Sequence, residues 1–142
     1  MRILYHLWMS PECRKVRVVL HENKIDFQLQ AENIHERRPD FMALNPAGEI
    51  PVLVESDGTT ISGSSAIVEY CDEVFSKPSL IGNQALGRAE VRRLVHWFDC
   101  KFNREVTDNL VVEKLTKRYL GHGEPVGAAV RAGHANIHHH LD

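Results

Sequence analysis

The stretch SPECRKVRVVL, residues 10–20, decides how the rest of the chain is read. Pro11 suits the first position of a helix, and Ser10 directly before it is a natural N-cap. Cys13, Val16, Val19 and Leu20 recur on one helical face while Arg14, Lys15 and Arg17 fall largely off it, which predicts a helix over residues 11–23. A cysteine in place of Ser10 would make a Cys-Pro-x-Cys redox motif. As written only Cys13 remains, with the acid Glu12 beside it.

Working outward, Arg2–His6 reads as a short strand, and Ile25, Phe27 and Leu29 alternate as a second strand over 25–29. Strand, helix, strand implies a right-handed parallel crossover. A polar segment, 33–38, leads into a short helix over Pro39–Leu44. Residues 50–54 and 59–61 then flank Asp57-Gly58, a hairpin signal. Ala66, Ile67, Tyr70, Cys71, Val74 and Phe75 fall at helical spacing, so the first half reads βαβ followed by ββα. Residues 76–82, with Pro78 and Gly82, read as a linker. Beyond it Leu94, Val95, Phe98, Phe102 and Val106 form an apolar stripe that Leu110 and Leu115 continue toward Leu120, one long helix. Residues 121–125 break the pattern. Val126, Ala129, Val130, Gly133, Ile137 and Leu141 then make a new stripe that meets the chain end without a stop signal, which suggests that more protein follows. The expected architecture is an α/β domain over 1–75, a linker over 76–82 and the start of an all-α domain over 83–142.

The totals bound the function. At 142 residues with 43% hydrophobic content, the chain can bury a continuous core. A formal net charge of -2 with 25% charged residues leaves no basic footprint for nucleic acid. No basic-then-apolar leader opens the sequence, and no stretch approaches the ~18 apolar residues of a membrane helix. Three widely spaced cysteines, Cys13, Cys71 and Cys100, fit free thiols in a reducing compartment, the cytoplasm. The histidines are scattered apart from His138, His139 and His140. His134 and His138 stand one helical turn apart without a third convergent ligand, so no metal site is expected.

Three groups of residues together resemble the glutathione S-transferase superfamily. They are Ser10-Pro11-x-Cys13-x-Lys15-Val16-Arg17, Asn45-Pro46-x-Gly48-x-Ile50-Pro51-Val52-Leu53 and Ser64-x-Ala66-Ile67-x-x-Tyr70. The resemblance implies a thioredoxin-like N-terminal domain joined to a helical bundle of about five helices, of which the chain supplies two. It also implies glutathione as co-substrate and a homodimer, for which Val74, Phe75, Arg88 and Arg92 are candidates that read equally as local packing and surface charge. Ser10 would stabilise the thiolate, whose thiol pKa near 8.5 must fall by ~2 units, roughly 2.7 kcal/mol. Read locally, Ser10 is equally an N-cap. The resemblance makes Pro51 a cis-proline that exposes the backbone of Ile50 for pairing with glutathione's cysteine; without a ligand the same residues are a strand-initiating turn. Ser64 resembles the residue that holds the γ-glutamyl carboxylate, and a helix cap would look the same in sequence.

Gly63 departs from the pattern, since most members carry Glu or Asp there to face the γ-glutamyl ammonium. Its loss removes a charge-assisted hydrogen bond worth ~1.5–3 kcal/mol. Glu12 and Glu49 add negative charge, which Arg14, Arg37 and Arg38 are placed to offset. Cys13 reads as a core residue, and a dithiol cycle would need a cysteine at Ser10. Two functions follow. One is transfer of glutathione's sulfur to a small hydrophobic electrophile lying between the domains, against Trp97 or Phe98, aromatics that are more often core. The other is a transferase fold kept as a protein-binding scaffold. For the latter, residues 97–110 resemble an alphaproteobacterial transferase-like group with a member that binds the tubulin-like division protein FtsZ.

Overall fold

Residues 1–142 are described by a computed structural model. Its contacts separate two units, Met1–Gly82 and Asn83–Asp142. The first is a four-stranded mixed sheet in the order β2-β1-β3-β4, with β1 Arg2–His6, β2 Phe27–Ala31, β3 Val52–Val54 and β4 Thr60–Ser62. β1 and β2 are parallel, joined through helix α1, Pro11–Glu22, while β3 runs antiparallel to both β1 and β4. A short 3₁₀ turn, Ile34–Glu36, and helix α2, Pro39–Leu44, lead to β3; helix α3, Ser64–Val74, follows β4.

The predicted faces are buried at their centres, while Ala66 and Val74 of the face predicted over 66–75 are exposed. Leu4 of β1, Val16 and Leu20 of α1, Leu53 of β3, and Ile67 and Cys71 of α3 are all fully buried in one cluster. Each aliphatic side chain there contributes ~1.5–3 kcal/mol over an exposed one. β2 starts later than its alternation suggests. Ile25 is buried before the strand begins, its N–H bonded to Leu20 C=O at 2.9 Å, and Leu29 is exposed on the edge strand. An edge strand packs on one side only, so apolar alternation marks it poorly. The Asp57-Gly58 hairpin forms as expected: Gly58 takes φ +89°, and Asp57 accepts the Thr59 N–H at 2.9 Å. Buried Asp72 closes the unit by accepting from Ser79 Oγ at 2.6 Å and from the Leu80 N–H.

In the second unit, helix α4, Ala85–His96, runs without a break into Trp97–Thr116 and then α5, Lys117–Leu120; residues at both junctions keep right-handed helical angles. The middle segment is wound as a π-helix rather than the α-helix expected. At its end Lys117 N–H reaches back five residues to Val112 C=O. The amides of Asn103 and Asn109 donate to the carbonyls of Asp99 and Glu105, four residues back, at 3.0 and 2.9 Å. Side chains there occupy acceptors that an α-helix would use for its own N–H groups.

Gly121 ends the helix in the left-handed region, and α6, Gly127–Leu141, packs along the π-segment. Gly133 permits the close approach, because a Cβ there would lie 2.8 Å from Leu110 Cγ. The two helices are pinned through Glu105. Its backbone carbonyl accepts from Asn136 Nδ2 at 3.0 Å, and its carboxylate meets Lys101 Nζ at 2.5 Å and His140 Nε2 at 3.0 Å. The Trp97 indole N–H donates to His140 Nδ1 at 2.9 Å. An indole can only donate, so Nδ1 is bare and Nε2 carries the proton given to Glu105. No helix of the chain is long and apolar enough to cross a membrane.

Candidate functional site

Strand register gathers the separate sequence motifs. Tyr5 pairs with Val52, and Val52 pairs with Ser62. The end of β1, the start of β3 and the end of β4 therefore lie side by side at one end of the sheet. From that end leave the 7–10 turn to Ser10, the approach through Ile50 and Pro51, and the step from Gly63 to Ser64. Both α1 and α3 begin there, so two helix N-termini bring positive partial charge to the same place.

Ser10 caps α1: its Oγ accepts the Cys13 N–H at 3.1 Å. The same Oγ lies 2.9 Å from Glu12 Oε2. A carboxylate oxygen only accepts, so the hydroxyl proton points at Glu12. The turn before Ser10 is held by Arg17, whose guanidinium donates to His6 Nδ1 at 2.9 Å and to the carbonyls of Leu7 and Trp8 at 3.3 and 3.2 Å. It also stacks 4.8 Å from the Trp8 ring centroid, leaving that indole 66% exposed. Burial, and then the neighbouring Arg17, push the pKa of His6 down. It is a neutral strut of the turn, a role with no signature in the sequence beyond the Arg17 position on α1. Cys13 is fully buried, and burial raises its thiol pKa, so it belongs to the core as expected.

The Ile50-Pro51 bond is cis. Asn45 organises the approach to it, donating from Nδ2 to Glu49 C=O at 2.8 Å and accepting the Ala47 N–H at 3.3 Å. Asn45 thus forms an Asx-turn, a role its place in the motif does not reveal. Gly63 takes φ +89° and ψ 133°, and its N–H donates to Pro51 C=O at 3.0 Å, fixing the two motifs to each other. Gly63 itself is the N-cap of α3, and no side chain caps that helix. Ser64 is therefore the first helical residue, half-buried, and capping does not account for its hydroxyl.

The cations expected to offset Glu12 and Glu49 are unequally placed. Arg38 is engaged in a two-point pair with Glu32, at 2.8 and 3.3 Å, and with Asp40 at 3.3 Å. Glu32 is only 1% exposed, which holds the Arg38 head in place. Arg14 and Arg37 are exposed, Arg37 in the left-handed region at φ +46°. Elsewhere, Trp97 is engaged by His140, and Phe98 packs against Phe102 with ring centroids 5.3 Å apart.

Comparison with known proteins bears on this arrangement. The profile of the glutathione S-transferase N-terminal domain matches residues 9–74. A solved glutathione S-transferase from Rhodospirillum rubrum is 55% identical and superimposes with a TM-score of 0.95, over 99% of this chain and 64% of that one. FtsZ-localized protein A of Caulobacter vibrioides is 40% identical over 99% of this chain and 63% of its own length. The solved structure of FzlA from C. crescentus is 40% identical, with a TM-score of 0.92 over 99% of this chain and 63% of that one. This chain thus spans a little under two thirds of the length of these relatives. Sheet topology, the cis-proline corner and sequence likeness agree, and the chain belongs to the glutathione S-transferase superfamily.

Proposed function

We propose that this protein binds glutathione at the end of the first unit's sheet and transfers its sulfur to a small hydrophobic electrophile. The observation that carries the reading is the Tyr5, Val52, Ser62 register, which draws Ser10, Ile50, Pro51, Gly63 and Ser64 together. In this reading the backbone of Ile50 pairs with glutathione's cysteine as an added strand. Ser64 and the free N–H groups opening α3 receive the γ-glutamyl carboxylate. Ser10 faces the sulfur. A cytoplasmic homodimer is the expected form. Calorimetric titration of the full chain with glutathione tests this: binding in the millimolar range or tighter, weakened in Ser64→Ala, is expected. Neither heat nor thermal shift at saturating glutathione refutes it.

A second reading is favoured by two observations, the 40% identity to FtsZ-localized protein A and the Ser10 proton directed at Glu12. Here the transferase fold serves as a scaffold for a protein partner such as FtsZ. Co-pelleting with FtsZ polymer, using the full chain, is the test; absence from the pellet counts against it.

A further inference from the structure

We infer that the outer edge of β2 is a surface on which a second copy of this chain pairs, strand against antiparallel strand, with Leu29 of one copy opposite Leu29 of the other. β2 stands at the end of the sheet, where β1 covers only one of its two edges. The Glu32 N–H bonds the His6 C=O at 3.1 Å, so residue 32 turns its backbone groups toward β1, and by alternation so do Gln30 and Gln28. Phe27, Leu29 and Ala31 therefore turn their N–H and C=O groups outward. The Ala31 carbonyl receives only the Gln30 side-chain amide, at a long 3.5 Å.

Edge strands are ordinarily blunted by charge, proline or a bulge. Phe27-Gln28-Leu29-Gln30-Ala31 has no charge and no proline, its register with β1 is unbroken, and residues 28–31 are exposed. The strand itself specifies the occupant, because its outward groups are self-complementary about Leu29. Across a two-fold axis Leu29 exchanges both bonds with its counterpart, and Phe27 exchanges both with Ala31, so every outward group of the two strands is used. Gln28 falls opposite Gln30, amide against amide, with no like charges facing. Just outside the strand Asp26 falls opposite Glu32, whose carboxylate is already held by its two-point pair with Arg38. Phe27 and Leu29 share a side-chain face and line, with His21, Lys24, Ile25 and Asp26, a hollow of about 320 Å³. Pairing brings Leu29 of the second copy, an apolar side chain otherwise 38% exposed, to its rim. So short a ladder buries less than the ~1,200 Å² of a stable interface, which makes the contact transient. It uses none of the residues of the glutathione reading and is independent of it.

The test is sedimentation of the full chain over ~10 μM to ~1 mM, the range of a transient contact. It is run on the unaltered protein, on Leu29→Lys, on Leu29→Glu, and on an equimolar mixture of the two variants. Expected for the unaltered protein is a species of twice the mass of Leu29→Lys that grows with concentration. Each variant alone sets like charges directly opposite each other and weakens the association ~10-fold or more, whereas the mixture sets lysine opposite glutamate and restores it. Amide hydrogen exchange on the unaltered protein reads the same ladder without any substitution, and decides alone should a variant fail to fold. Phe27, Leu29 and Ala31 should exchange more slowly as concentration rises, while Gln28 and Gln30, already turned to β1, should not change. Unaltered protein no heavier than Leu29→Lys at the highest concentration, a mixture as weak as its components, or exchange without this alternation each overturns the inference.

Discussion

Replacing Gly63 with glutamate restores the acid that this chain lacks, and the structure separates its two consequences. Gly63 sits at φ +89° and ψ 133° with its N–H bonded to Pro51 C=O, and a Cβ added there meets nothing within 4 Å. The substitution therefore carries a backbone cost and no steric one. A non-glycine residue held in so sparse a region costs ~1–3 kcal/mol. Total stabilities run at about 5–15 kcal/mol, so the variant still folds. If the γ-glutamyl ammonium lies beside residue 63, the new carboxylate gains a charge-assisted hydrogen bond of ~1.5–3 kcal/mol, roughly a 10- to 150-fold tighter glutathione complex. Gly63→Ala carries the backbone cost without the carboxylate. Thermal melting and calorimetry on both variants should show similar losses of stability, with an affinity gain in Gly63→Glu alone. Equal glutathione affinity in two folded variants would show that the ammonium is elsewhere. Melting unchanged from the parent in both would refute the backbone argument.

Two further outcomes are expected. Gly133→Ala should destabilise the second unit by ~1–3 kcal/mol through overpacking against Leu110 and Asn109, whereas Gly87→Ala, on an exposed face of α4 with only Gln84 Cβ at 4.0 Å, should stabilise it by ~0.5 kcal/mol; opposite signs in thermal melts check the geometry. In thiol titration of the native chain with an aromatic disulfide reagent, exposed Cys100 should react promptly. Buried Cys13 and Cys71, the latter with its pKa pushed up to about 11, should react only after denaturation, and prompt reaction of all three would contradict the packing.

Much of the first unit was legible because its signals are local. Pro11 after Ser10, the period of Val16 and Leu20, and Asp57-Gly58 each specify a short element by backbone chemistry alone, and each element forms. The second unit was read less well. An apolar stripe recurring every four residues, as in Leu94, Phe98, Phe102, Val106 and Leu110, fits a helix, yet the segment is wound as a π-helix in which the Asn103 and Asn109 amides bond carbonyls four residues back. Asn109 shares its acceptor with α6, since the Asn136 amide also donates to the Glu105 carbonyl and His140 meets the Glu105 carboxylate. Such a choice is tertiary, so a window of neighbouring residues does not contain it.

The site shows the same limit more sharply. Ser10 as a helix cap and Ser10 as a partner for sulfur require the same residue at the same place, and the structure satisfies the first while leaving the second to the direction of one proton. That direction is set by Glu12, whose charge was visible in the sequence but whose 2.9 Å contact was not. The family resemblance carries the positions of Ser10, Ile50, Pro51 and Ser64, because the sheet register that assembles them follows from topology. It does not carry their chemistry. Two acids and a glycine, at positions 12, 49 and 63, are where this chain departs from the family pattern, and the end of the sheet forms with them in place.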